Sequence, residues 1–265
     1  MENITSNKPL LSLCTHFYNS SKGIAIQIER WKNITRSHLA KIEFVVVDDC
    51  SDLPYKHNIE NLPIEWWRIT TEIDWNQSGA KNLLLTKSKA DWLLFFDVDQ
   101  SASADSIQTI VDQIPSLDRS CYYMFRVDPI WGQQSVEGRL FDGSGTKLRP
   151  AGDPHINTFL IHRSLLDSIN GFEEDYAGRY GFEDTHMHNQ LDEKGHQPRL
   201  LDHNITFNVI DTYTTNLLRH SHVNQHMFVI KAKGRLKNIT PPITSKLRFD
   251  YQKLLPIANE VQYAG

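Results

Sequence analysis

Residues 90–99 read Ala90-Asp91-Trp92-Leu93-Leu94-Phe95-Phe96-Asp97-Val98-Asp99. The unbroken run of large apolar side chains predicts a strand over Ala90–Phe96 that is buried on both faces, as strands of parallel sheets are. It ends on two acids. Ile42–Val47 (IEFVVV) repeats the pattern and ends on Asp48-Asp49. Leu10–Thr15 and Ile64–Ile69 are shorter runs of the same kind. Between them Ile24, Ile26, Ile28 and Trp31 have the spacing of an amphipathic helix, and Asn76–Ser88 reads as a second helix with Leu83, Leu84 and Leu85 toward the core. Strand and helix therefore alternate over the first hundred residues, which predicts a parallel sheet with right-handed crossovers. Such sheets bind ligands beyond the carboxyl ends of their strands, where both acid pairs fall. An acid at a strand end can also simply cap the next helix.

The second half is less regular. Cys121–Val127 and Asn157–Ile161 read as strands, Gly132–Gly145 as a hairpin or mobile loop, and Ser164–Ile169 as a short helix closed by Gly171 in a left-handed cap. Further helices are expected over Phe182–Leu191 and around Asn224–Lys233. The expected architecture is one mixed, mainly parallel α/β sheet flanked by helices, a single domain over residues 1–265.

A chain of 265 residues with 40% hydrophobic content buries a sizeable core without staples. The net charge of -4 excludes a general binder of nucleic acid or anionic membrane. Three cysteines, Cys14, Cys50 and Cys121, make no disulfide framework and fit a reducing cytoplasm. The opening MENITSNKPLLSLC lacks a signal-peptide pattern, and no apolar run reaches membrane-spanning length. The expected location is cytoplasmic, with peripheral docking if the protein works at a membrane.

Three clusters carry chemistry: Asp97-Val98-Asp99, Tyr180-Gly181-Phe182-Glu183-Asp184, and Arg219-His220-Ser221-His222. Alone, an acid pair at a strand end is a weak signal. The order of the segments is more specific: LSLCTHFYN (11–19), VVVDDCSD (45–52), WNQSGAKNLLLTKSKADWLLFFDVD (75–99), INGFEEDYAGRYGFEDTHMHNQL (169–191) and LLRHSHVN (217–224). In this order they resemble the inverting glycosyltransferases of the large family 2 with the Rossmann-like GT-A fold. The last two resemble segments of β-1,4-galactosyltransferases and bacterial chondroitin polymerases.

That resemblance implies transfer of a sugar, galactose or N-acetylgalactosamine foremost, from a UDP-sugar donor to the hydroxyl of a saccharide acceptor. Residues 1–100 would form the nucleotide-binding half and 101–265 the acceptor-binding half. Asp99 is the implied ligand of Mn²⁺ (or Mg²⁺), with His220 as a further ligand and His222 its rival. Asp97 would contact ribose or the metal through water. Thr15 and Asp49 would meet the uracil ring, with Phe17 or Tyr18 beneath it, and Lys81 stands where the family carries an arginine for the diphosphate. Asp184 is the implied catalytic base; Glu183 and Tyr180 would hold the acceptor sugar. These roles suit the chemistry. A cation on hard oxygen ligands neutralises the leaving diphosphate, and a carboxylate takes the acceptor proton. Tyr180 and Phe182 depart from the tryptophan and glycine of the relatives, and a lysine at 81 cannot fork onto a diphosphate as arginine does. His155, His186 and His188 are read as ordinary polar histidines, and Trp66, Trp67, Trp75 and Trp92 as core or pocket wall.

Two other readings compete. A sugar nucleotidyltransferase needs a glycine-rich phosphate loop after the first strand, and Thr15–Lys22 contains no glycine. A non-catalytic sugar- or nucleotide-binding module would need neither Asp99 nor Asp184, and both are present.

Overall fold

In chain order the first elements are β1 (Leu11–Phe17), α1 (Ser21–Trp31), α2 (Arg36–Leu39), β2 (Ile42–Asp49), β3 (Ile64–Ile69), α3 (Gln77–Lys87) and β4 (Trp92–Phe95). The computed structural model describes residues 8–53, 55, 62–128, 139–141, 147–150, 154–201, 205–210, 222–236 and 246–254. β3, β2, β1 and β4 lie side by side and run parallel, as the alternating pattern predicts.

Each of these strands sends alternate side chains to opposite faces. Leu11, Leu13 and Phe17 of β1, Phe44 and Val46 of β2, and Trp92 and Leu94 of β4 join one core with Ile24, Ile28 and Trp31 of α1. Cys14, Val45, Val47, Leu93 and Phe95 join a second core on the other face, with Ala80 and Leu83–Leu85 of α3. Burial on both faces is why the strands read as continuous apolar runs rather than as alternating ones.

The chain continues through β5 (Gln100–Ala102), α4 (Ala104–Gln113), β6 (Tyr122–Asp128), β7 (Arg139–Phe141), β8 (Lys147–Pro150), β9 (Pro154–His162), α5 (Arg163–Ser168) and α6 (Glu183–Glu193). It ends with β10 (Pro198–Leu200), β11 (Thr206–Val209), α7 (His222–Leu236) and β12 (Tyr251–Lys253). β9 enters antiparallel between β4 and β6, and β11 extends the sheet beside β6 and β5, so strands of both halves share one sheet. β12 returns to cover the β3 edge. α4 packs on the α1 face, whereas α5 and α6 pack with α3 on the other. Gly171 closes the α5 turn at φ +72°, its N–H donating to the Leu166 carbonyl at 2.8 Å. Within the glycine-rich segment β7 and β8 pair as an antiparallel hairpin, and most of its remaining residues lie outside the described ones. No described helix is long and apolar enough to cross a membrane.

Candidate active site

β2 ends on two acids whose side chains go opposite ways. Asp48 is fully buried, held by the Arg68 guanidinium from the adjacent β3, while Arg68 also donates to the Ser51 carbonyl at 2.6 Å. Asp49 turns toward α3, where Asn76, the residue preceding the helix, donates to its Oδ1 at 3.2 Å. Gly79 leaves the room this needs, because a Cβ there would lie 2.2 Å from Asn76 Oδ1. Burial pushes the Asp49 carboxyl up to about 7.

The first two turns of α3 reach α6. Gln77 donates to Asp184 Oδ2 at 3.2 Å, and the Lys81 ammonium pairs with Asp184 Oδ1. Lys81 is 1% exposed and Asp184 6%, so this is a buried ion pair joining residues 103 positions apart. Beside it Trp75 donates its indole N–H to Glu183 Oε1 at 3.2 Å, and the Trp75 ring meets Tyr180 edge-on with centroids 4.5 Å apart. Burial first, and the Asp184 charge second, push the Glu183 carboxyl up to about 7. His16, at the end of β1, is pushed down to about 3 by burial and by the Lys81 charge, so it stays neutral. α3 thus brings together Asp49, Lys81, Asp184 and, through the preceding Trp75, Glu183.

Asp97 and Asp99 follow β4 in a turn, both half-buried. Asn157 of β9 donates its Nδ2 to Asp97 Oδ2 at 2.8 Å, and the Asp99 carbonyl accepts from the Ile210 N–H at 2.7 Å. The Asn157 Oδ1 atom is buried and has no hydrogen-bond partner among the described residues. Two carboxylates with an amide oxygen on the adjoining side chain form a hard donor set, which fits Mn²⁺ or Mg²⁺ rather than a thiophilic metal. Among the described residues no three His, Cys, Asp or Glu side chains group into a complete metal site. His220 lies outside the described residues, and of His222 only the backbone, at the start of α7, is described.

The remaining expected residues divide. Thr15 is buried with its hydroxyl donated to the Phe96 carbonyl at 3.0 Å, tying β1 to the start of the acid turn. Phe17 packs into the α1-side core, edge-on to Tyr55 and Trp66 at 6.0 and 5.9 Å, which leaves Tyr18 as the more accessible ring of the two. The Tyr18 hydroxyl donates to Glu72 at 3.3 Å. His186 bonds Tyr176 and His188 bonds Tyr122 and the Ile156 carbonyl, in keeping with polar structural histidines. The sequence reading missed the Lys81–Asp184 pair, the Asn157 bond to Asp97, and Gln77 altogether.

A profile of the family described as Glycosyl transferase family 2 matches residues 12–170, more than half of the chain. The chain belongs to this family. The fold has counterparts among solved structures. TarS of S. aureus (residues 1–349, with UDP-GlcNAc) is similar over 78% of this chain and 60% of that one, with a TM-score of 0.57 at 15% identity. GalNAc-T7 with UDP, GalNAc and Mn²⁺ is similar over 80% and 45%, with a TM-score of 0.56 at 16% identity. The mannosyltransferase PcManGT of Pyrobaculum calidifontis, with GDP-Man and Mn²⁺, is similar over 89% and 66%, with a TM-score of 0.53 at 14% identity. These likenesses establish the GT-A fold, and the chain spans less than two thirds of the length of the first two structures. No curated protein matches the sequence.

Proposed function

We propose that the protein is a metal-dependent inverting glycosyltransferase that moves a sugar, galactose or N-acetylgalactosamine foremost, from UDP to a saccharide hydroxyl. The observation that carries this reading is the start of α3, where Asn76 holds Asp49 and Gln77 and Lys81 hold Asp184. A nucleotide-side acid and an acceptor-side acid pair are thereby built onto one helix start, at the strand ends where α/β sheets bind ligands. UDP in the TarS and GalNAc-T7 structures and Mn²⁺ in the GalNAc-T7 and PcManGT structures support a nucleotide diphosphate donor with a divalent cation.

In this reading residues 1–100 form the donor side. Tyr18 and Asp49 lie at the uracil, and Thr15 fixes β1 against the Asp97 turn. Asp99, with His220, would hold the cation, which when bound supplies Lewis-acid neutralisation of the departing diphosphate, and Asp97 would meet the ribose or the metal through water. Residues 101–265 form the acceptor side. Tyr180 and Glu183 would hold the acceptor sugar, with Trp75 beside them, and Asp184 takes the proton of its attacking hydroxyl. A single displacement at the anomeric carbon inverts its configuration.

The test is a thermal-shift screen of UDP, GDP, UDP-galactose, UDP-N-acetylgalactosamine, UDP-N-acetylglucosamine and GDP-mannose with and without Mn²⁺. A ligand at a hundredfold excess over its dissociation constant stabilises the native state by about 2.7 kcal/mol. Stabilisation by UDP compounds that needs Mn²⁺ is the expected result, and indifference to all six would end the proposal.

A further inference from the structure

Residues 173–182 hold one short 3-10 turn and no strand, yet they deliver Tyr180 to the site and lead into α6. Two glycines bend this segment, Gly178 and Gly181, both at φ +93°, a backbone that residues with a side chain rarely adopt. A Cβ on Gly178 would meet nothing within 4 Å, so that glycine serves the bend and not the room. Carbonyls in such a bend lie outside the ladders of strand and helix, and when buried they need donors from elsewhere.

Asn224 of α7 supplies them. Its Nδ2 donates to the carbonyls of Tyr176, Arg179 and Gly181 at 3.1, 2.8 and 2.9 Å. The two shortest bonds go to the residues on either side of Tyr180, so one amide holds the backbone before and after that ring. Asn224 is 1% exposed, and its Oδ1 is buried with no hydrogen-bond partner among the described residues. The amide leaves its acceptor end idle, at a cost, while its donor end serves three carbonyls. The same face of α7 continues the grip, with Phe228 and Lys231 following Asn224 at i+4 and i+7. The Phe228 ring lies 5.3 Å from that of Phe182, which enters α6 at a left-handed φ of +74° that its surroundings must hold. Lys231 Nζ reaches Glu173 Oε2 at 3.1 Å and Asp175 Oδ2 at 2.9 Å. One helix face thus holds both ends and the middle of the segment.

We propose that Asn224 is the positioning residue of the acceptor side, acting through Tyr180 by fixing the backbone on both sides of it; this rests on the transferase reading. Asn224 itself touches no substrate. Without it the two glycine bends let the segment drift, and the Tyr180 ring leaves its edge-on contact with Trp75. The donor side is held separately, Asp49 by Asn76 before α3 and Asp97 by Asn157 of β9, and should not notice the change. α7 is therefore part of the acceptor site and not an appendage to it.

Wild type is first assayed by nucleotide release with the four nucleotide sugars above and a panel of mono- and disaccharide acceptors, with Mn²⁺. Turnover of none overturns the transferase reading and this assignment with it. With a pair that turns over, Asn224→Ala should raise the acceptor KM about tenfold, while kcat and UDP–Mn²⁺ affinity change less than about threefold. Tyr180→Ala should raise the same KM at least as much. The double variant should be no worse than Tyr180→Ala alone, because residues that act as one unit are not additive. Asn224→Ser keeps one donor hydrogen and should fall between wild type and Asn224→Ala. It takes the place of Asn224→Ala in the cycle if the alanine variant does not fold. An Asn224 effect that adds in full to that of Tyr180, an unchanged acceptor KM, or a loss of UDP–Mn²⁺ affinity as large as the loss of transfer would overturn the assignment and leave the transferase reading intact.

Discussion

Asn157 of β9 donates to Asp97 Oδ2 at 2.8 Å, so the strand that enters the sheet antiparallel to β4 orients the first acid of the Asp97-Val98-Asp99 turn. The bond spans 60 positions and ties the acid turn to the second half of the chain.

Asn157→Ala should therefore weaken Mn²⁺-dependent UDP binding about tenfold, as loss of an outer partner of a ligating carboxylate does. Stability should fall by only about 1 kcal/mol. Isothermal calorimetry with UDP and Mn²⁺, beside urea unfolding, separates the two. Unchanged affinity would mean that Asp97 does not need this orientation.

UDP should bind at least tenfold more tightly with Mn²⁺ than with a chelator, and Asp99→Asn should abolish the difference. The metal is expected to offset diphosphate charge for which the described site offers only the already paired Lys81. Equal affinity with and without metal in wild type would sink the expectation.

Lys81→Met should cost about 3–5 kcal/mol, since it leaves Asp184 charged and buried without its cation. Adding Asp184→Leu should recover most of that loss, because an apolar replacement of both partners carries no desolvation cost. Urea denaturation of both variants is the measurement. A single variant as stable as wild type would show that the pair is not formed in solution.

The carboxyl of Asp49 is raised to about 7, above the ordinary value near 4 expected in the unfolded chain. The native state then binds the extra proton between those limits, so its contribution to stability is complete below about pH 4 and lost as pH rises through 7. Asp49→Asn removes this titration. Without nucleotide, the stability of the variant relative to wild type should climb from pH 4 to 7, by at most about 1.4 kcal/mol per pH unit. Glu183 titrates in both proteins and cancels in the difference. A pH-independent difference would contradict the burial argument.

Much of the fold was legible because β1, β2 and β4 are buried on both sides and can be little other than apolar runs ending where water returns. β5, β10, β11 and β12 are three or four residues long and mostly polar, held by neighbours far along the chain, so no local pattern marks them. In the site, Asp49, Asp97, Asp99, Glu183 and Asp184 were legible as acids at element ends. Their partners were not. Whether Lys81 meets a diphosphate or Asp184 depends on where α6 sits relative to α3, and nothing within either helix encodes that. Phe17 and Tyr18 part for a simpler reason. Strand alternation puts Phe17 on the same face as Leu11 and Leu13, and that face is filled by α1.

The family match stops at residue 170, before α6 begins, whereas the ion pair between Lys81 and Asp184 crosses that border. The stretches on either side of that border are consequently not interchangeable modules. A chimera that joins residues 1–170 to the C-terminal part of a relative must bring an acid to position 184, or else replace Lys81 at the same time. Otherwise it inherits an unbalanced charge at the seam, and its failure to fold would be mistaken for a failure of substrate specificity.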